Sequence, residues 1–377
     1  MSCYLHMTLP YQKLKEMIAG DSPMITSVTE IKEEQIQPCS LDLTIGTHAY
    51  RVSSSFLPQP HETIEEVLER NTLYSFDIKP GTILEKNATY IIPLQEGLSL
   101  PEEIYGKVNP KSSIGRVDVF VRLLADRTPQ FDFVPRGYKG QLYIEVIPLS
   151  FVVAIEPGLS LNQAIFRTSD SNQLSSLDLK LAHSKYGLVF DSARNEPMAA
   201  EDIRVQQGCL VLTIDLKETD IIGWRSKPSN VVIDLARREY LDADDCWEPI
   251  MRTNKNELVI DPNSFYLLAS RERVRIPPEY EAEVIAYDVD SGELRSHYAG
   301  FFDPGFGHGD DGSLMGSTAV LEVRPHTVPF RLTHGQVICK MVYRKMSEIP
   351  EKLYSQSSGS YYTGTGPKLS KHFKNTW

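Results

Sequence analysis

The chain has 377 residues, of which 41% are hydrophobic and 24% are charged, and this composition excludes a disordered, collagen-like or coiled-coil protein. Its length suits two domains of ordinary size. The formal net charge of -11 argues against binding to nucleic acid, but a small anion could still bind where positive charge is locally concentrated.

Cysteine usage and hydropathy give expectations about the compartment. The five cysteines are odd in number and contain no Cys-x-x-Cys pair, which predicts reduced thiols and neither a disulfide framework nor a zinc knuckle. No run approaches the roughly 18 apolar residues of a membrane helix, and residues 1–6 do not read as a secretory signal. We therefore expect a cytoplasmic protein with no membrane partner.

The predicted elements are one helix followed by many short strands. Leu14, Met17 and Ile18 recur at helical spacing, and Gly20 can end that helix. The strand-like runs are 40–45, 89–92, 141–147, 209–214, 265–268, 318–323 and 337–342. Short β runs separated by Pro, Gly, Asn and Asp predict a mainly β fold of the sandwich or barrel type.

The sequence also repeats itself at offsets of 173 to 177 residues. The aligned positions are Tyr90 with Tyr266, Glu96 with Glu272, Pro101 with Pro277, Glu103 with Glu279, Val108 with Val284, 143–148 with 320–325, and 163–165 with 336–338. We also match 38–43 to 229–235. These offsets predict two tandem copies of one β domain, over 1–175 and 176–345. Two unrelated β domains are the alternative.

A tail over 346–377 follows the second copy. It is rich in Gly and Ser, which predicts a flexible segment. It also contains Tyr354, Tyr361 and Tyr362, which a purely disordered tail does not need. We predict a lid that orders over a ligand; a frayed terminus is the alternative.

Positive charge is concentrated in residues 107–140, where seven Lys or Arg residues stand against three Asp residues. Within that segment, Lys111, Ser112, Ser113 and Arg116 cluster at a turn. Hydroxyl and backbone N–H groups can donate to phosphate oxygens, and an arginine can bind them through two parallel hydrogen bonds. The segment predicts a phosphate-binding turn, with a solvated loop as the alternative.

Each copy also contains a glutamate within an apolar strand. The period of two places Val320, Glu322 and Arg324 on one face, and Glu145 shares its face with Tyr143. An apolar environment raises the pKa of a carboxyl group and suits it to proton transfer near neutral pH. The alternative is a structural glutamate paired with Arg324.

Several segments together resemble a known family. They are Gln-Pro-Cys-Ser-Leu-Asp-Leu at 37–43, Pro-Lys-Ser-Ser-Ile-Gly-Arg at 110–116, His-Tyr-Ala-Gly-Phe-Phe-Asp-Pro-Gly-Phe-Gly at 297–307, Leu-Glu at 321–322, and Tyr-Tyr-Thr-Gly-Thr-Gly-Pro at 361–367. The combination is similar to the dCTP deaminase branch of the dUTPase-like superfamily, and most of all to its long, internally duplicated bacterial members. The resemblance covers most of the chain.

The resemblance implies two tandem dUTPase-like domains with a distorted β-barrel or jelly-roll-like fold and a few short helices. It implies a homo-oligomer of threefold geometry, with active sites shared between neighbouring domains. The implied reaction is hydrolysis of dCTP to dUTP and ammonia without zinc, with Mg²⁺ arriving on the triphosphate and dTTP acting as an inhibitor.

The resemblance also assigns the site. It implies Ser112, Ser113 and Arg116 at the phosphates and the attacking water, Glu322 in proton transfer, Asp303 at the sugar, and Tyr354 in the closing tail. We predict Glu322, Ser112 and Arg116 as catalytic, Lys111, Ser113, Asp303, Val320, Tyr354 and Tyr361 as substrate-binding, and no residue as a metal ligand.

Departures from the family pattern predict a composite site. The first copy keeps Ser-Ser-x-x-Arg, but its later motif has changed to Phe-Val-Pro-Arg-Gly-Tyr-Lys-Gly at 133–140. The second copy keeps Asp-Pro-Gly-Phe-Gly but has only a displaced Ser-x-x-x-Arg at 291–295, and Tyr361 stands where the family has a tail lysine. We therefore predict that the first copy binds the phosphates, that Glu322 and the tail come from the second copy, and that Glu145 is structural.

Other functions are compatible with the same residues. A dUTP pyrophosphatase, or a bifunctional deaminase and pyrophosphatase, belongs to the same superfamily. A nucleotide sensor without catalysis is the alternative from another class. The Gly-x-x-x-x-Gly-Lys-Ser/Thr loop and the zinc deaminase pattern are both absent from the sequence.

Overall fold

The computed structural model describes residues 7–169, 172–191, 196–286, 294–296, 300–308, 316–325, 328–354, 362 and 364–374. The helices are α1 (Tyr11–Ile18), α2 (Ile64–Asn71), α3 (Ser112–Gly115) and α4 (Ser176–Tyr186), with 3₁₀ turns at Glu33–Gln35 and Ala243–Asp245. In the described part of the chain, no helix is long and apolar enough to cross a bilayer.

The strands fall into two sets that we call repeat 1 (β1–β12) and repeat 2 (β13–β26). Those of repeat 1 are β1 (Ile25–Ser27), β2 (Leu41–Thr44), β3 (His48–Val52), β4 (Thr72–Asp77), β5 (Thr82–Leu84), β6 (Thr89–Ser99), β7 (Tyr105–Pro110), β8 (Val119–Ala125), β9 (Phe133–Val134), β10 (Lys139–Pro148), β11 (Val153–Ile155) and β12 (Ser160–Arg167). Those of repeat 2 are β13 (Val189–Asp191), β14 (Val205–Gln206), β15 (Cys209–Thr213), β16 (Ile221–Ser226), β17 (Ile233–Asp234), β18 (Trp247–Met251), β19 (Glu257–Ile260), β20 (Tyr266–Val274), β21 (Tyr280–Ala286), β22 (Leu294–Ser296), β23 (Phe301–Phe302), β24 (Ser317–Pro325), β25 (Phe330–Thr333) and β26 (Val337–Lys345). Each of the seven predicted strand runs overlaps an observed strand, and the predicted first helix is α1. The predicted mainly β fold is confirmed.

The two repeats have the same strand order. The large sheet of repeat 1 runs β4-β3-β6-β10-β8, and that of repeat 2 runs β18-β16-β20-β24-β22. The second sheets run β2-β12-β7-β9 and β14-β15-β26-β21-β23. Thus β6, β10 and β12 of repeat 1 correspond to β20, β24 and β26 of repeat 2.

Hydrogen bonds confirm the sequence alignment at Glu96 and Glu272. The carboxylate of Glu96 accepts from the backbone N and the Oγ1 of Thr44 at 2.8 and 2.7 Å, and Glu272 makes both bonds to Thr213 at 2.7 Å. Therefore β2 corresponds to β15, and the predicted match of 38–43 to 229–235 is wrong. Segment 229–235 instead contains β17, which pairs in parallel with β11 of repeat 1.

The outer face of the repeat 2 sheet packs on repeat 1. Along β24, Ala319, Leu321 and Val323 belong to the core of repeat 2, whereas Val320 packs against the core of repeat 1. Trp224 of β16 joins that same repeat 1 core. Because side chains alternate along a strand, Glu322 shares the face of Val320 and is directed towards repeat 1.

The matching face of repeat 1 has a different cover. Tyr143 of β10 packs in a small cluster with Ile64 and Leu68 of helix α2 and with Phe56 from the loop before it. Glu145 shares the face of Tyr143 and is 1% exposed. The two glutamates therefore lie on equivalent faces, one covered within its own repeat and the other at the junction of the repeats.

Candidate active site

The Ser-Ser-x-x-Arg motif forms the short turn of α3, between β7 and β8. Strand β7 ends at Pro110, and the Lys111 backbone is extended, with φ -68° and ψ 142°. The carbonyl oxygen of Lys111 accepts from the N–H groups of Ile114 and Gly115 at 2.8 and 3.1 Å, which closes the turn. This turn brings the Ser112 and Arg116 side chains to the junction between the repeats.

Glu322 lies in the middle of β24 and is 7% exposed. Burial raises the pKa of its carboxyl group to about 8; nearby Arg116 opposes this shift and the Asp118 carboxylate adds to it. The alternative of a structural pair between Glu322 and Arg324 is not what the structure shows, because Arg324 Nη2 donates to Asp118 Oδ2 instead. The pKa of Glu322 lies close to neutral pH, as general acid–base catalysis requires.

The predicted residues of the two copies line a common cavity of about 60 Å³. Repeat 1 contributes Lys111, Ser112 and Arg116, and the rest of the chain contributes Asp303, Val320, Glu322, Tyr354 and Tyr362. Ser113 lines an adjoining cavity of about 110 Å³ that shares Lys111, Ser112, Asp303, Tyr354 and Tyr362 with the first. Tyr361 lies outside the described residues, as do 291–293 of the displaced Ser-x-x-x-Arg segment at 291–295.

Asp303 is held by a contact from the other repeat. The thiol of Cys39 donates to Asp303 Oδ1 at 3.1 Å. Burial raises the pKa of Asp303 to about 6; the Cys39 contact opposes this shift, and the carboxylates of Asp42 and Glu281 add to it. The Asp-Pro-Gly turn therefore places a buried carboxyl group with a raised pKa in the lining of the cavity.

The glycine after Pro304 allows the tail to approach this turn. Gly305 has φ 94°, and a Cβ atom there would lie 3.0 Å from both Leu353 Cβ and Tyr354 N. The Tyr354 backbone N–H donates to the carbonyl of Pro304 at 2.9 Å, and its ring packs on Phe306 with centroids 5.3 Å apart. The Asp-Pro-Gly-Phe-Gly motif thus serves as the seat of Tyr354.

The described end of the tail differs from the flexible lid predicted for 346–377. Phe373 is buried in the core of repeat 1, and the Trp224 indole N–H donates to the carbonyl of Pro367 at 2.7 Å. Ser370 Oγ donates to the Ser113 carbonyl at 2.7 Å. Residues 364–374 are therefore packed into the protein. The residues that hold this segment in place lie far from it in sequence.

Two tail residues contact Arg116 of the Ser-Ser-x-x-Arg motif directly. The Arg116 guanidinium lies 3.9 Å from the centroid of the Tyr362 ring, and Arg116 Nη1 donates to the carbonyl of Lys368 at 2.8 Å. The ring and the carbonyl together occupy one side of Arg116. The tail is closed against the cavity in this structure.

Sequence analysis missed Arg238 and Lys371, which line the adjoining cavity with Lys111. Burial lowers the pKa of Lys371 to about 8, helped by the positive charges of Lys111 and Arg238 and opposed by Asp42. Lys111 forms an ion pair with Asp42. Lys371 could have been noted as a basic residue of the tail, but no sequence signal places Arg238 beside it.

The positively charged segment 107–140 is dispersed in the structure. Lys111 and Arg116 reach the two cavities, but Arg122 pairs with Asp132 and Arg136 donates to the carbonyl of Glu103. Lys111 and Arg116 therefore reach the candidate site, whereas Arg122 and Arg136 of the same segment have partners elsewhere. Among the residues that the structure describes, no three His, Cys, Asp or Glu side chains are grouped to hold a metal ion.

Comparisons with known proteins agree with this fold. Residues 6–170 match the family described as the 2'-deoxycytidine 5'-triphosphate deaminase N-terminal domain, and residues 177–373 match the family of its C-terminal domain. The chain belongs to the dCTP deaminase family. The resemblance predicted from the motifs is confirmed, and it extends over both halves of the chain.

A solved structure and two curated relatives illustrate the similarity. The crystal structure of the deaminase from Agrobacterium tumefaciens is 40% identical, with a TM-score of 0.84 over 92% of this chain and 99% of that chain. The "dCTP deaminase" of Ignicoccus hospitalis is 26% identical over 147 residues, which are 39% of this chain and 77% of the relative. The "dCTP deaminase, dUMP-forming" of Methanobrevibacter smithii is 27% identical over 141 residues, 36% of this chain and 68% of the relative.

Proposed function

We propose that this enzyme hydrolyses dCTP to dUTP and ammonia in the cavity between its repeats. One observation supports this above all: Glu322 of repeat 2, buried and with a pKa of about 8, faces Ser112 and Arg116 of repeat 1 across one cavity. Membership of the dCTP deaminase family gives the substrate. The pairing of a buried acid–base group with an arginine gives the chemistry.

The reaction requires water to add to C4 of the cytosine and ammonia to leave from the same carbon. Glu322 accepts a proton from the attacking water and delivers it to N3, so that C4 becomes tetrahedral. The remaining hydroxyl proton then passes through the carboxylate to the amino group, the C4–N4 bond breaks, and the C4 carbonyl forms. Ser112 orients the water, and Arg116 stabilises the negative charge that develops beside it. These steps use only side chains, and the proposed mechanism is zinc-independent.

The adjoining cavity suits the triphosphate. Lys111, Arg238 and Lys371 bring positive charge next to Ser112 and Ser113, and phosphate oxygens accept from ammonium, guanidinium and hydroxyl groups. Mg²⁺ enters with the triphosphate as part of the substrate. An anion bound there favours the protonated form of Lys371, so its lowered pKa rises when the nucleotide binds.

Substrate entry requires the tail to move. A cavity of about 60 Å³ is far smaller than the roughly 300–1,000 Å³ of typical small-molecule sites. We infer that Tyr362 leaves Arg116 when the nucleotide binds and then closes over it. In this proposal Asp303 and Val320 contact the sugar and base of the nucleotide. Tyr354 and Tyr361 belong to the tail that closes over it.

Dual activity is the second candidate. The name of the Methanobrevibacter smithii relative, "dCTP deaminase, dUMP-forming", favours testing for it. In such an enzyme, deamination and release of pyrophosphate would occur in the same site. A sensor without catalysis is the remaining alternative.

The test is incubation of the purified chain with dCTP and Mg²⁺, with ammonia, dUTP and dUMP followed together. We expect ammonia and dUTP to form in equal amounts. dUMP formed as fast as ammonia would replace the proposal with the dual activity, and binding without any product would replace it with a sensor. Glu322→Gln should lower the rate by several orders of magnitude, because glutamine cannot exchange a proton. Glu145→Gln, its counterpart in repeat 1, should keep the wild-type rate.

We further propose, on the family resemblance, a cytoplasmic homo-oligomer that dTTP inhibits. Cys39, Cys209, Cys246 and Cys339 are buried thiols, as suits a reducing compartment. Measuring molar mass in solution and the dependence of the rate on dTTP tests the other two statements.

A further inference from the structure

An ion pair between the buried Asp118 and the partly exposed Arg324 joins the two repeats beside the candidate site. Asp118 follows Arg116 by two residues, and Arg324 follows Glu322 by two residues on the same face of β24. Arg324 Nη2 donates to Asp118 Oδ2 and, at 3.2 Å, to Ser150 Oγ. Ser150 Oγ also donates to Asp118 Oδ2, at 2.5 Å. The pair therefore connects the segment after the phosphate-binding turn to the strand of the proposed catalytic glutamate.

The Asp118 backbone holds the end of the α3 turn. Asp118 has φ 55°, a left-handed conformation in which Asp and Asn are tolerated better than most side chains. Its N–H donates to the Gly115 carbonyl at 2.8 Å, and its own carbonyl accepts from the Leu149 N–H at 3.0 Å. Because both backbone groups of Asp118 are hydrogen-bonded, its main chain is held in place, and its carboxylate is positioned to bind Arg324.

The four charges form two opposite pairs across the junction. Arg116 faces Glu322, and Asp118 binds Arg324. Glu322 thus interacts with Arg116 and Asp118 from repeat 1 and with Tyr362 of the tail, and Arg324 is the next residue on the same face of its strand. A shift of either repeat changes the distance in both pairs together.

We propose that Asp118 and Arg324 are positioning residues that hold Arg116 and Glu322 in the relative placement that deamination requires. Neither side chain lines the cavity between the repeats, so each acts through its neighbour two residues away. The proposal rests on the deaminase function proposed above and adds to it the device that aligns its two halves.

Three variants test the proposal, and the chain offers a matched control. Asp118→Asn keeps the size and the left-handed conformation but removes the charge, and Arg324→Met removes the partner. Asp132→Asn is the control, because Asp132 also has a positive φ, 59°, and is also ion-paired to an arginine, Arg122, away from the cavity. The double variant Asp118→Asn/Arg324→Met avoids leaving one buried charge without its partner.

We expect Asp118→Asn and Arg324→Met to lower kcat for ammonia release by tenfold or more, since small misplacements of reacting groups have effects of this order or larger. Asp118→Asn also removes a negative charge that raises the pKa of Glu322, so the acid limb of the kcat profile should move to lower pH. The double variant should remain slow. Asp132→Asn should keep both the wild-type kcat and the wild-type pH profile.

Near-UV circular dichroism establishes that each variant is folded before its kinetics are compared. The positioning role is overturned if folded Asp118→Asn, or the folded double variant, keeps the kcat and acid limb of Asp132→Asn and the wild type. If the wild-type chain itself releases no ammonia from dCTP, the deaminase function fails, and that result is distinct from failure of the positioning role alone.

Discussion

Glu322 and Glu145 occupy corresponding places in the two repeats but have different neighbours. Burial raises the pKa of both, with Arg122 opposing and Asp132 adding to the shift at Glu145. Only Glu322 faces the cavity that contains the Ser-Ser-x-x-Arg turn. Burial alone does not distinguish Glu322 from Glu145. Glu322 is the candidate for catalysis because its neighbours across the cavity are Ser112 and Arg116.

The raised pKa of Glu322 has a consequence for stability. Below about pH 4.5 the group is protonated in both the folded and the unfolded chain, whereas between pH 4.5 and about 8 the folded chain keeps a proton that the unfolded chain releases. Rising pH therefore favours unfolding across this window. Glu322→Gln does not titrate, so its Tm should exceed the wild-type Tm by more at pH 8 than at pH 5. Thermal melts at the two pH values check this, and an equal difference at both would contradict it.

The sequence located the site residues better than it located their surroundings. Lys111, Ser112, Arg116, Asp303, Val320, Glu322 and Tyr354 were all chosen from motifs, and the structure brings them to one cavity. Arg238 was missed because it approaches Lys371 only through contacts made in the folded chain. A motif identifies functional side chains that are close in sequence. Charged residues that meet only in the folded chain, such as Arg238 and Lys371, leave no pattern in the sequence.

Among the elements, strands were easier to predict than helices. Alternating apolar residues marked the strands, since one face of each is buried. Helices α2 and α4 were missed, although Thr63 with Glu66 and Ser175 with Asp178 form capping boxes at their starts. Those signals were present and could have been read. The position of α2 over the Glu145 face could not have been predicted from the sequence, because it depends on tertiary packing.

The tail is the element whose packing the composition did not indicate. Gly and Ser indicate weak local preferences, but the partners of 364–374 lie elsewhere in the chain. The bond from the Trp224 indole to the carbonyl of Pro367 is 2.7 Å long and buried, and such a bond contributes about 1 kcal/mol. It anchors the segment immediately before Lys368, whose carbonyl binds Arg116.

Removing this anchor should weaken closure of the tail. In Trp224→Phe an aromatic ring remains but the indole N–H donor is lost. We expect KM for dCTP to rise severalfold, as a loss of about 1 kcal/mol implies. Proteolysis near the tail should also become faster. Trp247→Phe is the matched control, because the buried Trp247 Nε1 has no hydrogen-bond partner in the structure. An equal rise of KM in both folded variants would show that the Pro367 bond has no special role.

At the scale of the whole molecule, two repeats with the same strand order have unequal covers on their equivalent faces. The outer face of the repeat 2 sheet contributes Trp224, Leu267 and Val320 to the core of repeat 1. The equivalent repeat 1 face is covered by α2 and Phe56. Internal repetition was readable from Glu96 and Glu272, but which face docks against which depends on the three-dimensional packing.

This asymmetry predicts one nucleotide site per chain. Titration of Glu322→Gln with dCTP and Mg²⁺ in a calorimeter should give a stoichiometry of one, because the Ser-Ser-x-x-Arg turn is present in repeat 1 alone and the Glu145 face is covered. Adding Arg116→Ala to that variant should weaken binding at the single site. Two equivalents bound per chain would contradict the prediction.

The cover that α2 places over the Glu145 face also limits how copies of the chain can associate. A contact that joins unlike surfaces extends from copy to copy unless a ring closes it. Repeat 2 of one molecule cannot dock on another in the manner of the internal junction, since its own outer face is already used and the remaining equivalent face is sealed. We therefore expect the contact between the repeats to stay within one chain. Helix α2 and the loop before it should prevent copies of the chain from adding head to tail through this surface.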